Sequence, residues 1–241
     1  MTSTRIALAL AAALANRDTA SATALSTPDF RTHSTFAPDP GTNAAPGLGA
    51  LVAALPAGFG YRPTLVLTDV HHIALFATCT GLGPTALCSV DLFRLRNGRV
   101  AEHWDALNPH GVPPAGPASL RPYGPPLPGD IARSRARTVL LHLHDPKTPH
   151  QLGISENTAA RLGMDPVEAP PGSRRVEAVL IDSDHVLAHT TTGGAAAGSA
   201  FHLYRFDNPY KPTAILTVAG APVPTSAAPA GPPTPPAPRQ R

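Results

Sequence analysis

VDLFRLRNGRVAEHWDALNP, residues 90–109, joins an alternating apolar strand to an Asn-Gly turn and a second strand ending in Glu102, His103, Trp104 and Asp105. Asn97-Gly98 supplies the positive φ angles of a tight hairpin. Two turns fit. A two-residue loop pairs Arg96 with Arg99 and leaves Asp91 on the face opposite His103 and Asp105. A three-residue loop, with Gly98 in the left-handed well, pairs Leu95 with Arg99. Asp91, Phe93, Ala101, His103 and Asp105 then share one face, and Leu92, Val100, Glu102 and Trp104 the other. The three-residue loop is the expectation, because it puts Gly at the bulge position.

With either turn His103 and Asp105 point the same way, since side chains alternate along a strand. Their α-carbons then lie roughly 6.5–7 Å apart. That spacing suits two groups contacting one small molecule. A carboxylate enclosed by apolar walls resists ionisation. Its pKa moves towards neutrality, where a general acid/base is most effective. The competing reading leaves Asp105 in solvent at the strand end and His103 as an ordinary polar contact.

Outward from the hairpin, the pattern predicts helices over 3–16 and 46–55, with a loop and a short helix between them. Strands are expected near 63–69, 71–80, 85–96 and 99–107. A second series follows: a helix near 130–144, then strands near 174–182, 185–192, 198–206 and 212–218. Helices first and a strand meander afterwards is an α+β order. The two series resemble each other. VLTDVHHIALFAT (66–78) aligns without gaps to VLIDSDHVLAHTT (179–191), and DLFRLRN (91–97) to HLYRFDN (202–208). Such agreement predicts an internal duplication. Two Pro/Gly-rich stretches punctuate the chain. The expected organisation is a domain over 1–108, a linker over 109–129, a second domain over 130–220 and a disordered Pro-rich tail over 221–241.

Composition narrows the function classes. The 241 residues are 42% hydrophobic and only 5% aromatic, with a net charge of +3. Arginine supplies the basic residues almost alone and is scattered, without the basic stripe of a nucleic-acid binder. No apolar run is long enough to span a bilayer. Residues 1–18 read as a helix and, alternatively, as a weak secretion signal with one positive charge. A cytoplasmic location is the first expectation and secretion the second. Cys79 and Cys88 match no zinc pattern. They read as buried thiols, with one bridge as the alternative. HLHDPKTPH (142–150) lacks the Asp and His that a His-x-His-x-Asp-His metal site needs. His189 and His202 could line a second pocket.

The hairpin resembles the closing hairpin of the SnoaL-like polyketide cyclase family, within the NTF2-like superfamily. Asp91, Phe93, Arg94, Gly98, Glu102, His103, Trp104 and Asp105 carry the pattern. PDFRTHSTFAPDPG is similar to a family loop bearing a histidine, here His33. VLTDVHHIALF takes the place of a Gly-Asp-led strand, with Thr68 for the usual Gly. The resemblance covers about residues 5–108. It implies an NTF2-like cone, a curved mixed sheet wrapped around N-terminal helices with a pocket in its open end, here in two tandem copies. It implies Asp105 as acid/base with His103 beside it, and His33, Asp91, Phe93 and Trp104 as substrate-binding residues. It also implies aldol-type cyclisation or isomerisation of a small apolar carbonyl compound, with neither metal nor organic cofactor. The second copy lacks Glu-His-Trp-Asp. It reads as a degenerate cone that packs on the first as a built-in partner, in place of a homodimer. The alternative function is a non-catalytic cone that only binds small molecules or dimerises.

Overall fold

The computed structural model describes residues 2–34, 47–108, 129–144, 152–168, 170, 172–192, 198–208 and 211–219. The expected linker, except Gly129, and the expected tail lie outside the described residues. So do Asp145 and His150 of the histidine-rich stretch.

The first half begins with α1 (Ser3–Asn16), α2 (Thr19–Leu25), β1 (Ser26–Thr32) and α3 (Leu48–Ala53). Thr2 caps α1, and Ile6, Ala7, Leu10, Ala11, Ala13 and Leu14 form its buried face. Ala and Leu favour helix intrinsically, and here the apolar run is spent in the core. Arg17 ends α1 at φ 54°, and its guanidinium donates to the carbonyls of Leu55 and Ala57. Asp18 then caps α2 through the amide of Ser21. Gly49 lets α3 close on α2, since a Cβ there would lie 2.0 Å from Thr23 Oγ1. A meander follows: β2 (Gly60–Thr68), β3 (His72–Thr80), β4 (Leu87–Arg96) and β5 (Arg99–Asn108). The sheet order is β1-β5-β4-β3-β2, with β1 parallel to β5.

The second half has α4 (Gly129–Leu143), a two-residue β6 (Gly153–Ile154) and α5 (Glu156–Leu162). Its meander is β7 (Arg174–Asp182), β8 (His185–Thr192), β9 (Gly198–Asn208) and β10 (Lys211–Ala219). The order is β10-β9-β8-β7-β6. The two meanders share their register. Val66 faces Leu75 and Val179 faces Ala188; Asp91 faces Leu75 and His202 faces Ala188. Even the bulge agrees, falling at Thr64 in β2 and at Glu177 in β7. The fifth strands differ. β1 adds to the last strand of its meander and β6 to the first, both in parallel.

The fold is α+β, with mixed sheets that bulges bend. The layers run helix, sheet, sheet, helix. α1–α3 pack on one face of the first sheet through Val66, Ile73, Leu75, Phe93 and Leu95. α4 and α5 cover the far face of the second sheet through Val176, Val179, Val186 and Tyr204. Between the sheets, Leu65, Leu67, Phe76, Val90 and Leu92 meet Leu180, Leu187, Phe201, Leu203 and Val218. Arg161 of α5 clasps the first half, donating to Asp69 at 2.6 Å and contacting His72 Nδ1 at 2.9 Å. No helix among the described residues is long and apolar enough to cross a membrane.

The hairpin turn differs from expectation. Arg96 pairs with Arg99, and Asn97 and Gly98 both have positive φ, 53° and 71°. This is a two-residue loop of the I′ kind. Ala101 is then skipped, so Leu95 faces Val100 while Arg94 faces Glu102. The bulge adds its extra residue to β5, whereas the three-residue loop would have drawn Arg96 out of β4. The faces come out as expected, but the pairing does not: Asp91 lies opposite Asp105 and Phe93 opposite His103, where the three-residue loop would set Asp91 opposite His103. Val100, however, joins the helix-side core with Leu95 instead of the Trp104 face. Cys79 and Cys88 sit on adjacent strands but in different cores, one on each face of the sheet, and both are free thiols. Burial pushes the Cys88 thiol up to about 11 and Cys79 further still.

Candidate active site

Three buried polar residues project from the helix-side face of the first sheet: Asp91 from β4, and His103 and Asp105 from β5. One donor or acceptor atom from each lies within 4.8 Å of the others. Burying such groups costs several kcal/mol unless partners compensate, and here they do. His103 Nε2 lies 3.1 Å from Asp91 Oδ1. Tyr61 donates to Asp91 Oδ2 at 2.9 Å, and Ser89 Oγ donates to the same oxygen. Ser34 Oγ donates to Asp105 Oδ2. His103 Nδ1 meets Thr32 Oγ1 at 3.1 Å, and the ring stacks on Phe93 with centroids 4.6 Å apart.

These contacts fix one end of the imidazole. As a carboxylate, Asp91 can only accept, so Nε2 carries a hydrogen and donates it. Thr32 Oγ1 accepts the amide hydrogen of Ser34 and holds the other ring nitrogen, Nδ1, in place. Burial, and then the Asp91 charge, pushes the Tyr61 phenol well above its usual range, so it stays a donor.

The cluster opens on a cavity of about 50 Å³ roofed by Leu14 of α1, Leu48 and Leu51 of α3, and Phe59. Of the residues singled out in the sequence, Asp91, Phe93, His103 and Asp105 line it. His33 and Trp104 do not. They stack on each other across the other face of the sheet, centroids 5.0 Å apart and planes 8° from parallel. The chain leaving β1 explains this: it stays extended along β5, with the His33 amide donating to the His103 carbonyl, so Thr32 and Ser34 point at the cluster and His33 between them points away. Ser34, Thr32, Tyr61 and Ser89 were missed. Ser89 alone had a local signal, two residues before Asp91 on one strand face. The three central groups could also offer one atom each to a metal ion, which the sequence reading did not foresee.

Among the described residues, the second half has no counterpart of this cluster. His202 faces Thr217 in the register where Asp91 faces Asp105. Its ring nitrogens meet Thr190 Oγ1 and Thr217 Oγ1 at 3.0 and 3.1 Å. Desolvation, then the charge of Arg174, lowers its pKa to about 4. His189 does not join it in a second pocket, because the two side chains leave opposite faces of the sheet: Ala188, not His189, faces His202.

No protein-family model matches the chain, and no curated protein matches it. Among solved structures it is similar to a SnoaL-like polyketide cyclase from Agrobacterium tumefaciens, at 15% identity over 45% of this chain and 92% of that one, with a TM-score of 0.35. It is similar to a putative ketosteroid isomerase from Kribbella flavida, at 20% identity over 52% and 90%, with a TM-score of 0.38. An M. tuberculosis LEH-like epoxide hydrolase matches at 18% identity over 44% and 82%, with a TM-score of 0.34. Values this low leave the chemistry to be read from the site itself.

Proposed function

We propose that the chain is a cofactor-independent acid/base enzyme acting on a small carbonyl compound, with Asp105 as the group that moves the proton. What supports this is the meeting of Asp105 with the Asp91–His103 pair at the floor of an apolar cavity. The Asp105 carboxylate takes an α-proton, leaving an enolate. Either the proton returns at another carbon, which is isomerisation, or the enolate carbon attacks a second carbonyl. In the second case the protonated Asp105 gives its proton to the new alkoxide, and the carboxylate is regenerated. Asp91 and Thr32 hold the His103 imidazole from both ring nitrogens, in one orientation beside the reacting atoms.

The second half, on this reading, is a duplicate that has lost the site and serves as an intrachain partner. The shared register and shared bulge support the duplication. A second function, a cone that binds or associates without chemistry, draws on the cavity size. About 50 Å³ holds one or two waters at roughly 30 Å³ each, so a substrate must displace a leucine of the roof.

Deuterium exchange at C3 of 2,4-pentanedione in D₂O, followed by NMR, tests the proposal. The chain should accelerate exchange, D105N should lose at least 100-fold of that acceleration without a change in Tm, and a chelator should have no effect. Wild-type exchange at the buffer rate favours the binding reading. Unchanged exchange in D105N removes Asp105 from the mechanism.

A further inference from the structure

Besides the cavity beneath Asp105 there is a wider hollow, a groove of about 770 Å³ on the opposite face of the first sheet, where the two halves meet. Its walls come from both halves: His33, Glu102 and Trp104 from one, Arg161, Glu177 and His189 from the other. The volume falls in the range of small-molecule sites, roughly 300–1,000 Å³.

Four rings run in series beside it. His33 stacks on Trp104, Trp104 lies 5.6 Å from His189 at a 50° tilt, and His189 stacks on Phe201 at 4.7 Å. The column begins in the first half and ends in the second. His189 is wholly buried, and its Nδ1 has no hydrogen-bond partner. Its Nε2 is taken up by Ser199 Oγ at 3.1 Å. Burial, followed by the charges of His33, His72 and His202, lowers its pKa to about 3, so the ring is neutral. An orphaned ring nitrogen in a protein interior costs on the order of 1–3 kcal/mol. The aligned position in the first half, Phe76, packs in the inter-sheet core without any polar atom. The polar ring at 189 therefore serves something other than packing.

Charge narrows the occupant. The lining arginines, Arg94, Arg161 and Arg175, are equalled by Glu102, Glu156 and Glu177. Arg94 and Glu102 make a bidentate pair at 2.9 and 2.6 Å, and Arg161 is committed to Asp69. The arginine and glutamate charges of the lining thus cancel, and an ion entering the groove would lose hydration without an uncommitted counter-charge.

We propose that the groove is a second ligand site, for a neutral, planar heteroaromatic molecule that packs against the Trp104–His33 stack and satisfies His189 Nδ1 with a polar edge. This site is independent of the Asp105 cavity, from which the sheet separates it.

Trp104 is the single tryptophan of the chain, so its emission reports on the groove directly. The probe is acridone, which is neutral and planar, with one N–H and one carbonyl. Titrated into the full-length chain, it should quench Trp104 emission saturably with one equivalent. Cyclododecanone, neutral but neither planar nor aromatic, should not compete. H189F, which installs the residue found at Phe76, should weaken binding roughly fivefold, the worth of one neutral hydrogen bond. It should leave pentanedione exchange unchanged. A160F places a ring into the groove from an exposed helix position and should abolish quenching whether or not H189F folds. Failure of acridone to quench Trp104, or equal affinity in wild type and A160F, overturns the proposal. Full acridone affinity in a folded H189F overturns the role of His189.

Discussion

Asp182 sits where the two halves meet, its carboxylate accepting the amide hydrogen of Thr68 at 2.7 Å. Desolvation, with the nearby charges of Asp69 and Asp184, outweighs that bond and lifts its pKa from 3.8 to about 6. The unfolded chain releases this proton near pH 4 and the folded chain near pH 6. Unfolding in that window therefore releases a proton, so this group's contribution falls as pH rises from about 4 to about 6 and stays low above. D182N keeps an acceptor for Thr68 and removes the penalty. It should be more stable than wild type by on the order of 1–2 kcal/mol at pH 8, allowing for screening, and equal to it at pH 3.5. Urea denaturation at the two pH values measures both. Asp69 shows the opposite balance. Burial pushes it up, but the His72 hydrogen bond and the charges of His72 and Arg161 outweigh this and hold it at about 2. The aligned acids, Asp69 and Asp182, are thus shifted in opposite directions, because His72 and Arg161 serve only the first.

At the scale of elements, the β4–β5 hairpin decides the site. Its faces were read correctly at residues 91, 103 and 105 from a wrong turn. One extra residue was required, and the pattern did not say whether it fell in the loop or in the strand. Gly98 adopts φ 71° with open space at its Cβ position. G98A should thus cost only its backbone strain, about 1 kcal/mol, seen as a lower urea midpoint at unchanged slope. The missed elements have physical reasons as well. β1 (STPDFRT) shows no alternation and contains Pro28, and its pairing with β5 joins residues some seventy apart. α5 was legible: Ser155 caps it and Gly163 closes it at φ 62°, a start and stop signal that was overlooked because the helix has only seven residues.

For the whole molecule, the central layer is the contact between the sheets. Leu65, Leu67, Phe76, Val90, Leu92 and Ala106 of the first half are buried there by the second. A fragment of residues 1–108 would expose this contiguous apolar face, and such faces drive association. Such a fragment should self-associate in size-exclusion chromatography with light scattering, and Leu67→Lys should return it to monomer. A fragment that stays monomeric without the substitution would show that the second half is not needed to cover the face.

Sequence by itself determined the period-two faces of the meander, the apolar stripe of α1 and the alignment of the halves, because each depends on neighbours close in the chain. It placed Asp91, Phe93, His103 and Asp105 together for the same reason. It also put His33 with them, though Thr32 and Ser34 on either side point at the cluster and that ring turns away. Tertiary structure alone decided that Tyr61, Thr32 and Ser34 close around the acid/base cluster, since those contacts span 30 to 71 residues. It alone decided that the sheets pack back to back and leave a groove at the seam. A buried polar group is read by what surrounds it, and those surroundings come from distant parts of the chain.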